Sequence, residues 1–304
     1  MDDTAIATTG LTKRFGKVTA VDALDLSVRP GQIVGYLGPN GAGKTTTIRM
    51  LLGFISPTSG GCRVLGSDPA RDTRPRRGIG YLPGDLRVDP GMTATQLFAW
   101  FARLRGGVDR RGIDELTQRL DLDPSRRFGT LSKGNRQKVG IVQALCHDPE
   151  VLILDEPTSG LDPLVQREFG AILSERAARG AAVLMSSHVL PEVERIASHV
   201  AIIRSGRLVA VSDTDTLLDR SLCRLELRFG GDVSAEALSG IDGVVTVDVR
   251  GPHATVTVDG PVGPLMREAS GLHVPLLRVR SATDDLEDLF LSIYDKESVE
   301  GRQP

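Results

Sequence analysis

A chain of 304 residues with 40% hydrophobic content can bury a substantial core and is long enough to divide into two domains. Its 37 Lys and Arg against 39 Asp and Glu leave a net charge of -2, so no whole-chain field favours nucleic acid as a partner. Three cysteines, Cys62, Cys146 and Cys223, are widely spaced without a CxxC pair, which argues against a disulfide framework or a zinc site and reads as a reduced cytosolic chain. The amino terminus, MDDTAIATTG, is acidic where a secretory signal is basic, and charge-free stretches reach only about 13 residues, short of the roughly 18 that a membrane span needs. Any membrane connection is therefore expected through a partner.

In chain order, AIATT and LDLSV within the first 30 residues read as short strands. QIVGYLGPNGAGKTTTIRMLLGF then passes from an apolar run through a glycine-rich turn into an apolar segment of helical period, which predicts strand, loop and helix. Between residues 92 and 121, TATQLFAWFARL and IDELTQRLDL repeat their apolar positions at three and four, predicting a mainly helical insert. Helical period resumes from Ser132. VLILD at 151–155 is a wholly apolar run of the kind buried in a parallel sheet, and AAVLMSS and VAIIRSG repeat it after intervening helices. Alternation of buried strands and helices predicts an α/β core. Near residue 220 the texture changes. CRLELRF, VVTVDV and ATVTV alternate like half-buried strands, while SAEALSG, GPLMREASG and DDLEDLFLSIY look helical, giving the order β, α, β, β, α, β and a closing helix for a small α+β domain.

Two stretches carry chemistry. GPNGAGKT, Gly38 to Thr45, fits G-x-x-x-x-G-K-[ST] after a strand and at the start of a helix. Its glycines let backbone N–H groups turn toward phosphate oxygens, Lys44 can reach the β and γ phosphates, and Thr45 can ligate Mg2+. VLILDEPTSGLD places two adjacent carboxylates at the end of a buried strand, the sheet edge where ligands bind. Asp155 would hold Mg2+ directly or through water, and Glu156 would polarise an attacking water. A third stretch, LSKGNRQK at 131–138, sets a serine and a glycine beside three cations with no acid, as if to receive an anion.

These residues resemble the nucleotide-binding subunits of ATP-binding-cassette (ABC) transporters over about residues 4 to 220. The motifs follow the family's order: Phe15 in LTKRFG as the aromatic that stacks on adenine, the Walker A loop (Gly38, Pro39, Asn40, Gly41, Ala42, Gly43, Lys44, Thr45, Thr46), and LSKGN at the signature position. The Walker B pair Asp155 and Glu156 comes next, then SGLD with Asp162 as the D-loop and His188 in MSSHVL as the switch histidine. Alone, Phe15 could be a core aromatic and His188 a buried histidine or helix cap; their joint placement favours the functional reading. The resemblance implies a P-loop fold of ABC type, with a parallel-sheet core, an antiparallel β subdomain and a helical insert at about 86–147. The cassette would span 1–220 and an accessory α+β domain 221–304.

In the family two cassettes meet head to tail, so Ser132 and Gly134 of one chain would cover ATP in the other, with Ser132 capping the helix and Gly134 allowing close backbone approach. LSKGN departs from the commoner LSGGQ at its third and fifth positions. Lys133, Arg136 and Lys138 are read as solvated or subunit-facing. A second departure lies in IGYLPGDL, where Gly84 stands at the place of the family's metal-reaching glutamine. Either Asp85 takes over as a ligand or the loop signals by backbone movement; a loop aspartate is ordinarily turn chemistry.

The expectation is an Mg2+-dependent ATPase that dimerises with a second copy of itself, lies at the inner face of the cell membrane and powers a separately encoded permease. The wording resembles the daunorubicin-resistance-type branch, which implies export of drugs, antibiotics or polymers and no nucleic-acid partner. Competing classes are a soluble cassette protein on ribosomes or DNA, which would bring a second cassette, a coiled coil or a zinc insertion, and a P-loop phosphotransferase, for which LSKGN and His188 have no use. None of those additions is visible.

Overall fold

The first strand, β1 (Ile6–Phe15), organises a small antiparallel sheet in the computed structural model, which describes residues 4–214 and 222–281. It pairs with β2 (Val18–Leu24), β3 (Ser27–Val28) and β5 (Ser59–Val64). The expected AIATT strand falls in β1 apart from Ala5, whereas the expected LDLSV strand reduces to Leu24 at the end of β2 and Ser27–Val28. The longer partner, β2, escapes sequence reading because its half-exposed positions blur the alternation.

A second sheet follows the order β10-β9-β4-β8-β7-β6. Its strands are β4 (Ile33–Leu37), β6 (Ile79–Leu82), β7 (Val151–Asp155), β8 (Ala182–Ser187), β9 (His199–Arg204) and β10 (Arg207–Asp213). The pairs β4–β8, β4–β9, β6–β7 and β7–β8 are parallel. Every residue of β4, β7 and β8 is buried, which is why they are written as largely apolar runs, β7 and β8 closing on polar residues. Helices α1 (Lys44–Leu51), α5 (Pro163–Ala178) and α6 (Leu190–Ile196) alternate with these strands. Register then fixes the site. Leu37 stands beside Ser187, Asp155 beside Ser186, and Leu82 beside Leu154, so the chain leaves all four strands at one edge.

The insert comprises α2 (Ala94–Leu104), α3 (Arg110–Arg119) and α4 (Lys133–Leu145). Thr93 and Gln96 close a capping box at the start of α2 and Asp109 caps α3, so both helices begin where local chemistry satisfies their free N–H groups. Among the described residues, no helix is long and apolar enough to cross a membrane.

The chain divides into two units, 1–212 and 213–304. In the second, β11 (Leu222–Phe229), α7 (Ala235–Ser239), β12 (Val244–Arg250), β13 (His253–Asp259), α8 (Gly263–Ser270) and β14 (Leu276–Ser281) appear in the order that the sequence predicts. They form one antiparallel sheet, β12-β13-β11-β14. Leu225, Leu227 and Phe229 of β11 and Ala254, Val256 and Val258 of β13 pack with Leu238 and Leu265 into its core. The helix expected in DDLEDLFLSIY lies outside the described residues.

Candidate active site

The turn from β4 into α1 passes through Gly43 at φ 111°, a left-handed conformation that L side chains rarely adopt, and a Cβ there would stand 2.5 Å from the Ala20 carbonyl oxygen. Only glycine fits. Lys44 then opens the helix with its side chain 6% exposed, its ammonium donating to the Gly38 carbonyl at 2.5 Å and the Pro39 carbonyl at 3.3 Å. Thr45 Oγ1 donates to Asp155 Oδ2 at 3.0 Å, and Ser186 Oγ donates to Asp155 Oδ1 at 2.6 Å. Both oxygens of this buried carboxylate are thereby oriented, one from helix α1 and one from strand β8.

Glu156, one residue beyond β7, turns at φ 49°. Its N–H donates to Ser186 Oγ at 3.0 Å, and its carbonyl accepts from Gln137 Nε2 at 3.2 Å. The carboxylate sits between two cationic or cation-capable groups: Lys44 Nζ lies 3.4 Å from Oε1, and His188 Nδ1 lies 2.8 Å from Oε2, where a protonated Nδ1 donates. Nearby Tyr81, on β6, has its hydroxyl pKa raised by burial first and the Asp155 charge second.

These groups meet around a cavity of about 360 Å³ lined by Pro39, Asn40, Gly41, Ala42, Gly43, Lys44, Thr45 and Thr46, together with Ala20, Gly84, Asp155, Glu156, Ser159 and His188. A Cβ built on Gly84 would lie 3.7 Å from Asp155 Oδ2, so the family's glutamine position does face the carboxylate pair. Asp85 does not line the cavity; its carboxylate is held by Arg87 at 2.9 Å and is 74% exposed. The turn-chemistry reading of Asp85 therefore fits better than the ligand reading.

Phe15, Ser132, Gly134 and Asp162 are not in this lining. Phe15 ends β1, half exposed, with the Lys13 ammonium 5.1 Å from its ring centre. Ser132 caps α4 by accepting from the Asn135 N–H at 3.3 Å. Asp162 caps α5 by accepting from the N–H groups of Val165 and Leu164, each at 3.0 Å, and these bonds hold its carboxyl below the usual range. Gly134 is close-packed within its own chain, for a Cβ there would meet the Gly160 carbonyl oxygen at 2.6 Å.

Of the three cations of LSKGNRQK, Lys133 and Arg136 are exposed, as the solvated reading expects, while each also meets a group of its own chain; Lys138 alone departs from it. Lys133 Nζ donates to Ser159 Oγ at 2.8 Å, and Arg136 lies 5.5 Å over the Phe128 ring. Lys138, only 8% exposed, donates to the Asp121 carbonyl at 3.2 Å. Burial of its stem between helices overrides the expectation that a lysine stays in water.

Sequence reasoning also passed over Ser186, Gln137 and Glu192. Glu192 on α6 accepts from Thr158 Oγ1 at 2.5 Å and Ser187 Oγ at 3.2 Å, tying the loop after β7 to the strand end that carries His188. The available signal was a polar residue at a core-facing position, as at Gln137, which is 6% exposed and leads a buried run of α4 that also takes in Lys138 and Gln143.

The ABC transporter family model matches residues 21–159, spanning the phosphate loop, α4 and the carboxylate pair. This chain belongs to the ABC transporter family as an ATP-binding subunit, and it is an ABC transporter ATPase. Among its relatives, the bacitracin transport ATP-binding protein BcrA of Bacillus licheniformis is 35% identical over 305 residues, covering 95% of this chain and 97% of the relative. Nod factor export ATP-binding protein I of Ralstonia nicotianae is 33% identical, covering 95% of this chain and 93% of that protein. A solved structure described as the ATP-binding subunit of an ABC transporter superposes with a TM-score of 0.65 at 28% identity, over 70% of this chain and 92% of its own.

Proposed function

We propose that this ATPase subunit forms a head-to-tail dimer with a second copy of itself and drives export through a separately encoded membrane permease, working at the inner face of the membrane. The observation that carries the catalytic part is the placement of Glu156 between Lys44 and His188, one residue from the bonded Asp155–Thr45 pair. The relative named for Nod factor export supports the direction of transport, and the one named for bacitracin transport supports an antibiotic as cargo.

The residues present fit ATP and Mg2+. The ammonium of Lys44 is held by carbonyls of the loop that runs into α1, and Thr45 and Asp155 offer the hard oxygen donors that Mg2+ prefers. When bound, Mg2+ neutralises charge on the phosphate oxygens. Walker A residues Gly38 to Thr46 would cradle the phosphates, with Lys44 as their charge partner and Phe15 against the base. Glu156 would accept the proton of the attacking water, and His188 would hold that carboxylate and the reacting group in line. Ser132, Gly134 and Asp162 would act across the dimer. The unit after about residue 220 is assigned an accessory role.

Glu156→Gln tests the central assignment. ATP binding should persist while single-turnover hydrolysis slows by roughly 10² to 10⁴, the span for loss of a general base. Asp155→Asn should instead raise the Mg2+ requirement. Near-normal turnover in Glu156→Gln would remove Glu156 from the mechanism.

A further inference from the structure

We propose that the outer face of the carboxy-terminal sheet is a binding site for a phosphate-class oxyanion, distinct from the ATP cavity. Strand alternation sorts the side chains of β11: Leu225, Leu227 and Phe229 enter the core, while Glu226 and Arg228 point outward and are exposed. Register then sets two arginines face to face. Arg228 pairs with His253 of β13 on one side and with Arg278 of β14 on the other, and Arg280 stands one row away opposite Glu226.

Like charges placed directly opposite on a sheet oppose its stability. Several arginines elsewhere are matched by carboxylates: Arg119 by Glu168 and Glu175, Arg207 by Asp22, and in this same sheet Arg250 by Asp248 at 3.3 Å. Among the described residues, no carboxylate comes within 4.0 Å of Arg228, Arg278 or Arg280. The three arginines line a cavity of about 130 Å³, together with His253, Glu226 and Leu227. That space is about a third of the ATP cavity and suits a phosphoryl group better than a nucleotide. Arginine forks match phosphate oxygens in pairs, and a bound oxyanion would cancel the repulsion that the register imposes. A nucleic-acid groove would need a longer basic track than this one row supplies.

The phosphate could be free in solution or part of a lipid headgroup, so the test has two arms on the full chain. In the first, inorganic pyrophosphate is titrated calorimetrically into the chain carrying Lys44→Ala, which disables the ATP cavity. A site should remain, and Arg228→Gln with Arg278→Gln should weaken it at least about tenfold. In the second, vesicles of phosphatidylglycerol and of phosphatidylcholine are sedimented with the otherwise unsubstituted chain. Selective capture by phosphatidylglycerol that the same pair of substitutions abolishes would identify the lipid source. The double variant should melt no lower than the parent, since it removes repulsion. Should it fail to fold, Arg228→Lys with Arg278→Lys, which keeps the charge and loses the fork, should weaken the bound probe instead. Binding of both probes that is absent, or indifferent to whichever pair folds, would overturn the proposal.

Discussion

Glu156 occupies a left-handed backbone conformation that costs a non-glycine residue free energy, and its neighbours offset that cost. Ser186 bonds its N–H and Gln137 its carbonyl, so the turn that lifts the carboxylate off the strand is fixed from two elements. The same view gives a prediction for the loop that lacks the family's glutamine. Gly84 has no positive φ, and a Cβ there meets Asp155 only at ordinary contact distances of 3.5 to 3.7 Å. Gly84→Ala should therefore leave basal ATPase within about threefold, because no special glycine conformation is lost. Asp85→Ala should leave the Mg2+ concentration for half-maximal activity unchanged, as its carboxylate belongs to Arg87. A rise in that concentration would reinstate Asp85 as a ligand. At this scale, contiguous residues were legible in the sequence: that Lys44, Thr45, Asp155, Glu156 and His188 share one cavity follows from motif order. What Ser186, Gln137 and Glu192 do was not, because each bond is made across strands or helices whose register no local pattern encodes.

Between elements, the start of α4 and the loop after β7 behave as one contact. Gly134 approaches Gly160 at backbone distance, and Lys133 reaches Ser159, itself part of the ATP cavity lining. Gly134→Ala should accordingly destabilise the folded chain by about 1–3 kcal/mol through overpacking, measurable by chemical denaturation without nucleotide. If Gly134 served only an approach to phosphate, stability would be unchanged and only turnover would suffer. The helical insert was legible because its apolar period is strong, whereas β5, β6 and β10 were missed. β5 carries paired glycines, β6 has four residues, and β10 lies half exposed, so none presents the uninterrupted apolar run that marks β7.

For the whole molecule, the decisive question is whether each ATP is closed by one chain or by two. Lys44→Ala and Ser132→Arg should each abolish hydrolysis alone, one by removing a phosphate contact and the other by obstructing the cap of α4. Mixed, they should recover single-turnover hydrolysis, since a shared site arrangement gathers both lesions into one site and leaves the other intact. Mixed dimers proven by crosslinking that stay inactive would argue for sites closed within one chain. The chain divides after residue 212, while the sequence shows its change of strand texture near residue 220, from fully buried runs to alternating ones, because the carboxy-terminal sheet covers only one face with helices and leaves charged side chains on the other. The contact between Gly134 and Gly160 also bears on how this chain can diverge. What a larger side chain at 134 would strike is a carbonyl oxygen, and no replacement elsewhere can shorten a carbonyl. Neighbouring positions 133 and 135 can drift, as their departures from the commoner motif already show, but a change at 134 has no second-site remedy among side chains. A combinatorial library across this segment, sorted for stability alone, should be enriched in glycine at 134, even where selection never asks for ATP.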